Sequence, residues 1–130
     1  MSNNCRIAFL WLILTVGMIL HFNYHVGEIF YGINVVRDDA KGIVPLGAAA
    51  IRFVFQILPL CFLTFCLYFN QTVWRRVNFY LSLSYTVANV AHLVGQLQKP
   101  DLSQINLLVF VLVASLLLNR SAYDWWQESR

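Results

Sequence analysis

The chain has 130 residues, enough for one domain, and is 59% hydrophobic with only 12% charged residues, about half the charged share of an ordinary soluble domain. That balance points to the bilayer as solvent, and an aromatic content of 15% agrees with it, because Trp and Tyr gather at membrane interfaces. A net charge of +3 carried on scattered bases excludes a nucleic-acid footprint and reads as loop charge that sets topology.

The first apolar run covers residues 7–31. Arg6 and the stretch 9–20 imitate a secretory signal, but no small-x-small cleavage site follows, so the run is expected to be a retained transmembrane helix. At about 1.5 Å per residue, roughly 20 residues cross the hydrocarbon. A solvated turn follows, with Arg37, Asp38, Asp39, Lys41 and Gly42. The second run, residues 43–69, opens near Pro45, which suits a first helical turn, and holds Pro59, which should kink the helix and free a carbonyl near Phe55. Gly47, Ala48, Ala49 and Ala50 form a small-residue patch that lets another helix come close.

Residues 70–78 read as a short connection with Arg75, Arg76 and an interface anchor, Trp74. The third run, 79–98, is the most polar and contains Tyr85, Asn89, His92 and Gln96. Lys99, Pro100 and Asp101 break it. The fourth run, 102–119, is mostly Leu, Val, Ile, Phe and Ala, and the tail from Asn119 with Tyr123, Trp125 and Trp126 reads as an interfacial segment. The expected fold is an all-α polytopic membrane protein of four transmembrane helices in an up-down bundle, forming a single domain over residues 1–130. Arg6, Arg75, Arg76, Arg120 and Arg130 fall on one side, against Arg37, Lys41 and Lys99 on the other. The excess puts both termini in the cytoplasm of a plasma or bacterial-type inner membrane.

Two of the three histidines lie in one short stretch. His21, His25 and Glu28 stand at i, i+4 and i+7, which on a helix fall within about 60° of arc. The topology brings His92 on the third helix to a similar depth in the outer half, diagonally across the bundle. Tyr85, Asn89, His92 and Gln96 are spaced 4, 3 and 4, the spacing of a bundle-facing seam. On the second helix Arg52 and Gln56 are one turn apart, and Arg52, a charge in an apolar run, is expected to pair with Glu28.

This set suits transition-metal ligation: His21, His25, His92 and Glu28 are standard ligands for Zn, Fe, Mn or Cu, and bundles build metal sites from inward-facing Glu and His. A b-type haem with His92 and His25 or His21 as axial ligands is a second option. Tyr85, Asn89 and Gln96 would support either one by holding free ring N–H groups. Two rivals come from other classes: an interaction or oligomerisation protein whose polar seam fixes helix register, and a small channel or proton-coupled transporter. HExxH, GxSxG, P-loop and GxGxxG motifs are absent, which argues against an enzyme acting as an isolated chain. Four thin helices leave little private cavity, so a homo-oligomer or a partner membrane subunit is expected beside the bilayer itself. Cys5, Cys61 and Cys66 offer no disulfide framework or zinc knuckle, and Cys61 and Cys66 would face roughly 140° apart on a helix, as ordinary packing residues.

Overall fold

The structure, a computed structural model, describes residues 2–38, 40–98 and 101–129. The expectations for Asp39, Lys99, Pro100 and Arg130 therefore lie outside the described residues. The described residues are all-helical, without strands. Helix α1 spans Asn3–Gly27 and tightens into a 3-10 turn, Glu28–Tyr31, which stops at Gly32 with φ of 77°. Only glycine takes that left-handed backbone without strain. After the loop, α2 (Leu46–Arg52) passes through a π-helical turn, Phe53–Ile57, into α3 (Leu58–Tyr68), and the three pieces form one continuous rod. Helices α4 (Thr72–Gln96) and α5 (Leu102–Gln127) complete the chain.

Among the described residues, three of these rods are long and apolar enough to cross a membrane: Asn3–Tyr31, Leu46–Tyr68 and Leu102–Gln127. Helix α4 matches them in length but carries the polar seam.

Neighbouring helices run antiparallel. Helix α1 packs on α3 and α5, and α4 packs on α5, so α1 faces α4 along a diagonal. Trp11 of α1 donates its indole N–H to Asn78 of α4 at 3.3 Å, and ten residues further on His21 meets His92, so the two diagonal helices are parallel. Asn3 bonds Glu128, which brings the two ends of the described chain to the same end of the bundle.

The seams explain the packing. On α1, Ile7, Trp11, Leu14, Met18 and His21 are buried at alternating spacings of 4 and 3. On α5 the same rhythm buries Gln104, Leu108, Val111, Ser115, Leu118, Ala122 and Trp125. On α4 it buries Asn78, Ser82, Tyr85 and Asn89. That average spacing of 3.5 is what keeps one stripe of a helix facing its partners along the whole bundle. Aromatic rings fill the centre: Trp11 packs on Phe62 and Tyr85, both with ring centroids 5.0 Å away.

One expectation needs correction here, and two gain structural detail. The stretch 70–78 is not a connection, because α4 already starts at Thr72. The tail from Asn119 belongs to α5, which continues to Gln127. Both extensions have one cause: the Arg75 guanidinium donates to the Trp125 carbonyl at 2.8 Å and lies over the Trp125 ring, which is 2% exposed, so the ends of α4 and α5 are packed against each other. Finally, the irregularity near Pro59 is a π-turn, and the carbonyl that receives a side-chain partner is that of Val54, bonded by the Tyr85 hydroxyl. Pro59 lacks the N–H that an unbroken helix would aim one turn back, which makes a local change of pitch there inexpensive.

Gly17 marks the close approach of α1 to α5. A Cβ at this position would stand 2.4 Å from Cγ2 of Val111, a β-branched side chain with little rotamer freedom. Gly17→Ala should therefore lower stability by about 1–3 kcal/mol through overpacking. Adding Val111→Ala should restore most of the loss, as read from thermal unfolding of both variants in mild detergent.

Candidate functional site

The polar centre lies where the apolar seam of α1 ends. The 4-and-3 rhythm that buries Ile7, Trp11, Leu14 and Met18 continues into His21, His25 and Glu28, so these side chains share the core-facing stripe. His21 is 5% exposed, and its Nε2 lies 2.9 Å from Nε2 of His92, which comes from the parallel helix across the diagonal. One nitrogen must carry the proton and the other must present its lone pair, so the two rings hold opposite roles at this contact. The rings of His25 and His92 both meet His21 edge to face, with centroids 4.7 Å and 4.6 Å away. The structure thus gathers all three histidines of the chain into one cluster.

The fourth helix adds a residue that sequence reasoning passed over. Gln104 of α5 is fully buried, and its amide Nε2 donates to Glu28 Oε1 at 3.0 Å and stands 3.4 Å from His25 Nδ1. Glu28 Oε1 itself lies 3.3 Å from His25 Nδ1. The carboxylate is thus held between a histidine one turn back and a glutamine from a neighbouring helix. Gln104 could have been found: it stands four residues before Leu108 in the α5 stripe, but it adjoins the Lys99-Pro100-Asp101 break and reads as part of the connection.

Asp101 fixes the first turn of α5 and so the position of Gln104. Its carboxylate accepts from the Ser103 backbone N–H at 2.9 Å and from the Ser103 hydroxyl, an N-cap that satisfies one of the free donors at a helix start. The Ser103 hydroxyl, together with the backbone N–H, holds the Asp101 carboxyl below its ordinary value.

The Glu28–Arg52 ion pair expected from the sequence is not formed. Glu28 lies in the 3-10 turn beyond α1, where the tighter winding turns its carboxylate toward α5. The Arg52 guanidinium lies instead over the ring of Phe22, 5.4 Å from its centroid, and no acid among the described residues pairs with it. Tyr85 stands two turns before His92 and spends its hydroxyl on Val54, so it packs the core and does not support the histidines. Asn89 is buried one turn before His92 on the same stripe, and Gln96 is half-buried one turn beyond it.

Beside the cluster opens a cleft of about 290 Å³ between α1, the α2–α3 rod and α4. His21, His25 and His92 form its floor side, and Met18, Phe22, Arg52, Phe55 and Gln56 complete the walls. His21 Nδ1 and Gln104 Oε1 are buried and have no hydrogen-bond partner among the described residues. Buried polar atoms without partners are uncommon and cost about 1–3 kcal/mol each, so the site keeps unused capacity to bind a polar group. Among the described residues no three His, Cys, Asp or Glu side chains already stand in coordinating positions around one point.

Comparison with known protein families, with characterised proteins and with solved structures finds no match to this chain.

Two outcomes follow from the α5 contacts. Gln104→Leu should destabilise the protein by about 1–3 kcal/mol, because it leaves Glu28 half-buried without its donor. A double-mutant cycle with Glu28→Gln should recover a coupling between the two sites. Asp101→Ala should cost about 1 kcal/mol at neutral pH through loss of the cap. Because the folded carboxyl sits below its ordinary value, this contribution is complete above the ordinary carboxylate pKa and fades as pH falls through the lowered one. Thermal melts of wild type and Asp101→Ala should accordingly converge in acid.

Proposed function

We propose that the chain is a four-span integral membrane protein whose three-histidine cluster binds a transition metal ion, acting as a subunit or accessory of a larger membrane assembly. The observation that carries this reading is the gathering of His21, His25 and His92 from two helices around one buried contact. Two imidazole nitrogens bound tetrahedrally to one zinc at about 2.0–2.1 Å stand about 3.3 Å apart. His21 and His92 need to part by only about 0.4 Å to reach that separation. His25 supports the reading from its other side. A carboxylate next to Nδ1 of a ligating histidine fixes the ring and leaves Nε2 for the metal, and Glu28 occupies that position, itself held by Gln104. In this arrangement the three histidines are the ligands, Glu28 orients His25, and a fourth coordination position faces the cleft. A haem fits less well, because its axial nitrogens stand about 4 Å apart on opposite sides of a flat ring, while His21 and His92 are in direct contact.

The membrane reading rests on the three long apolar rods and on the placement of the bases. Arg6, Arg75, Arg76 and Arg120 belong to the end where Asn3 meets Glu128, and the other end carries Arg37 and Lys41 together with Asp38 and Asp101. By the positive-inside rule the end with both termini lies in the cytoplasm and the histidines lie toward the outer leaflet. Helix α4 is the fourth span, with the polar residues Asn78, Ser82, Tyr85 and Asn89 of its stripe buried inside the bundle.

One observation favours a second reading. The His21–His92 hydrogen bond is complete without a metal and could serve only to fix the register of α1 against α4. Substitution separates the two. A metal site predicts that protein purified in mild detergent without chelator holds near-stoichiometric zinc, manganese or iron, and that His→Ala and His→Gln at residues 21, 25 or 92 both lose it. A register bond predicts no bound metal and tolerance of His→Gln or His→Asn. Glu28→Gln should weaken metal binding about 10–100-fold without abolishing it.

A further inference from the structure

We infer that the cleft beside the histidines holds an anionic amphiphile, a phosphate or carboxylate headgroup on an alkyl chain, with Arg52 as the headgroup anchor. This goes beyond the metal reading and does not depend on it, since it rests on Arg52 and the cleft walls. Arg52 stands six residues into the rod that begins at Leu46, about 9 Å along its axis. In a rod of 23 residues, about 34 Å long against a hydrocarbon layer of about 30 Å, this puts the Arg52 backbone about 7 Å below the hydrocarbon boundary, where a cation without a counter-charge is costly and a long side chain reaches up toward the headgroups. Glu28, the nearest acid expected from the sequence, is committed to Gln104 and His25. What holds the guanidinium is the face of Phe22, which leaves its planar N–H fork available to an oxyanion.

The cleft supplies the rest of a site for such a molecule. Phe22, Phe55 and Ile51 give apolar walls, and Phe22 and Ile51 are also exposed on the outside of the bundle, so an alkyl chain can leave along them into the bilayer. Gln56 follows Arg52 by one turn and offers a second donor on the same face. The π-turn that carries Phe55 and Gln56 shifts these side chains from their regular helical positions, and such turns recur at ligand sites. His21, 5% exposed, also lines the cleft, and its buried Nδ1 has no hydrogen-bond partner among the described residues. A volume of about 290 Å³ accommodates a headgroup and the first part of one chain, but not a whole diacyl lipid, whose remainder would lie in the membrane.

The test is native mass spectrometry of the full chain released from micelles of an uncharged detergent, with chelator present so that bound metal plays no part. The micelles carry one probe at a time: phosphatidylglycerol, palmitate, uncharged diacylglycerol, or inorganic phosphate in solution. The expected result is a one-to-one adduct with phosphatidylglycerol, palmitate or both, at least tenfold more abundant than with diacylglycerol or inorganic phosphate. A preference between the first two tells a phospholipid from a fatty acid. Arg52→Gln should reduce the adduct at least tenfold, Arg52→Lys should reduce it less, and Arg76→Gln, at the far end of the bundle, should leave it unchanged. Diacylglycerol binding as well as the charged lipids, inorganic phosphate binding as well as either, or adducts indifferent to Arg52→Gln and Arg52→Lys would each overturn the inference. Should Arg52→Gln not fold, the comparison of probes on the wild type and Arg52→Lys decides.

Discussion

The contact between His21 and His92 is the constraint from which the rest of the bundle can be understood. It joins two helices that are not neighbours in the ring, and a 2.9 Å separation across a diagonal tolerates almost no sliding or rotation. A shift of α1 by one residue would carry His21 about 100° around its axis and 1.5 Å along it, and would replace an imidazole pair with an imidazole facing apolar side chains. In a low-dielectric interior such a loss is expensive, and the polar pair therefore excludes wrong registers as well as supporting the right one.

The opposite end of the diagonal repeats this logic with different chemistry. Trp11 bonds Asn78, and Asn78 donates in turn to Cys66 Sγ at 2.8 Å, so α1, α4 and α3 are tied together by a buried chain of polar atoms. Between the two ends lies an aromatic layer of Trp11, Phe62 and Tyr85, and the π-turn is the adjustment that brings the Val54 carbonyl within reach of the Tyr85 hydroxyl. Close packing at Gly17 and Val111 then sets the spacing of α1 and α5, which puts Gln104 in reach of Glu28. A polar cluster, a cleft and an arginine without an acid partner among the described residues thus meet at one end of the bundle.

Much of this was legible in the chain, and the failures have physical causes. The four apolar runs and the 4-and-3 spacing of His21, His25 and Glu28 are local patterns, and the alternation of helix directions was enough to bring His92 to their depth. Helix ends were misjudged where long-range contacts extend a helix past its apolar run, as Arg75 and Trp125 do for α4 and α5. The Arg52–Glu28 pair was expected because depth alone made the two compatible, but the 3-10 winding of Glu28–Tyr31 aims the carboxylate at another helix, and no periodicity reveals that winding. Tyr85 kept the right face and received the wrong partner, because its role depends on a π-turn in a different helix. Gln104 was missed since a single glutamine beside a helix break carries little signal until its stripe on α5 is followed to the end.

Metal binding by the three histidines is tested most directly by the visible spectrum of the metal-stripped protein in mild detergent as cobalt(II) is added. Cobalt reports nitrogen ligation and coordination geometry through its d–d bands, and it takes sites that suit zinc. A three-histidine metal site should give intense bands of low-symmetry, nitrogen-ligated cobalt that saturate at one ion per chain and collapse when His21, His25 or His92 is replaced by alanine. A spectrum that remains that of hydrated cobalt at every addition, with the protein folded, would contradict it and leave the histidines as a register device.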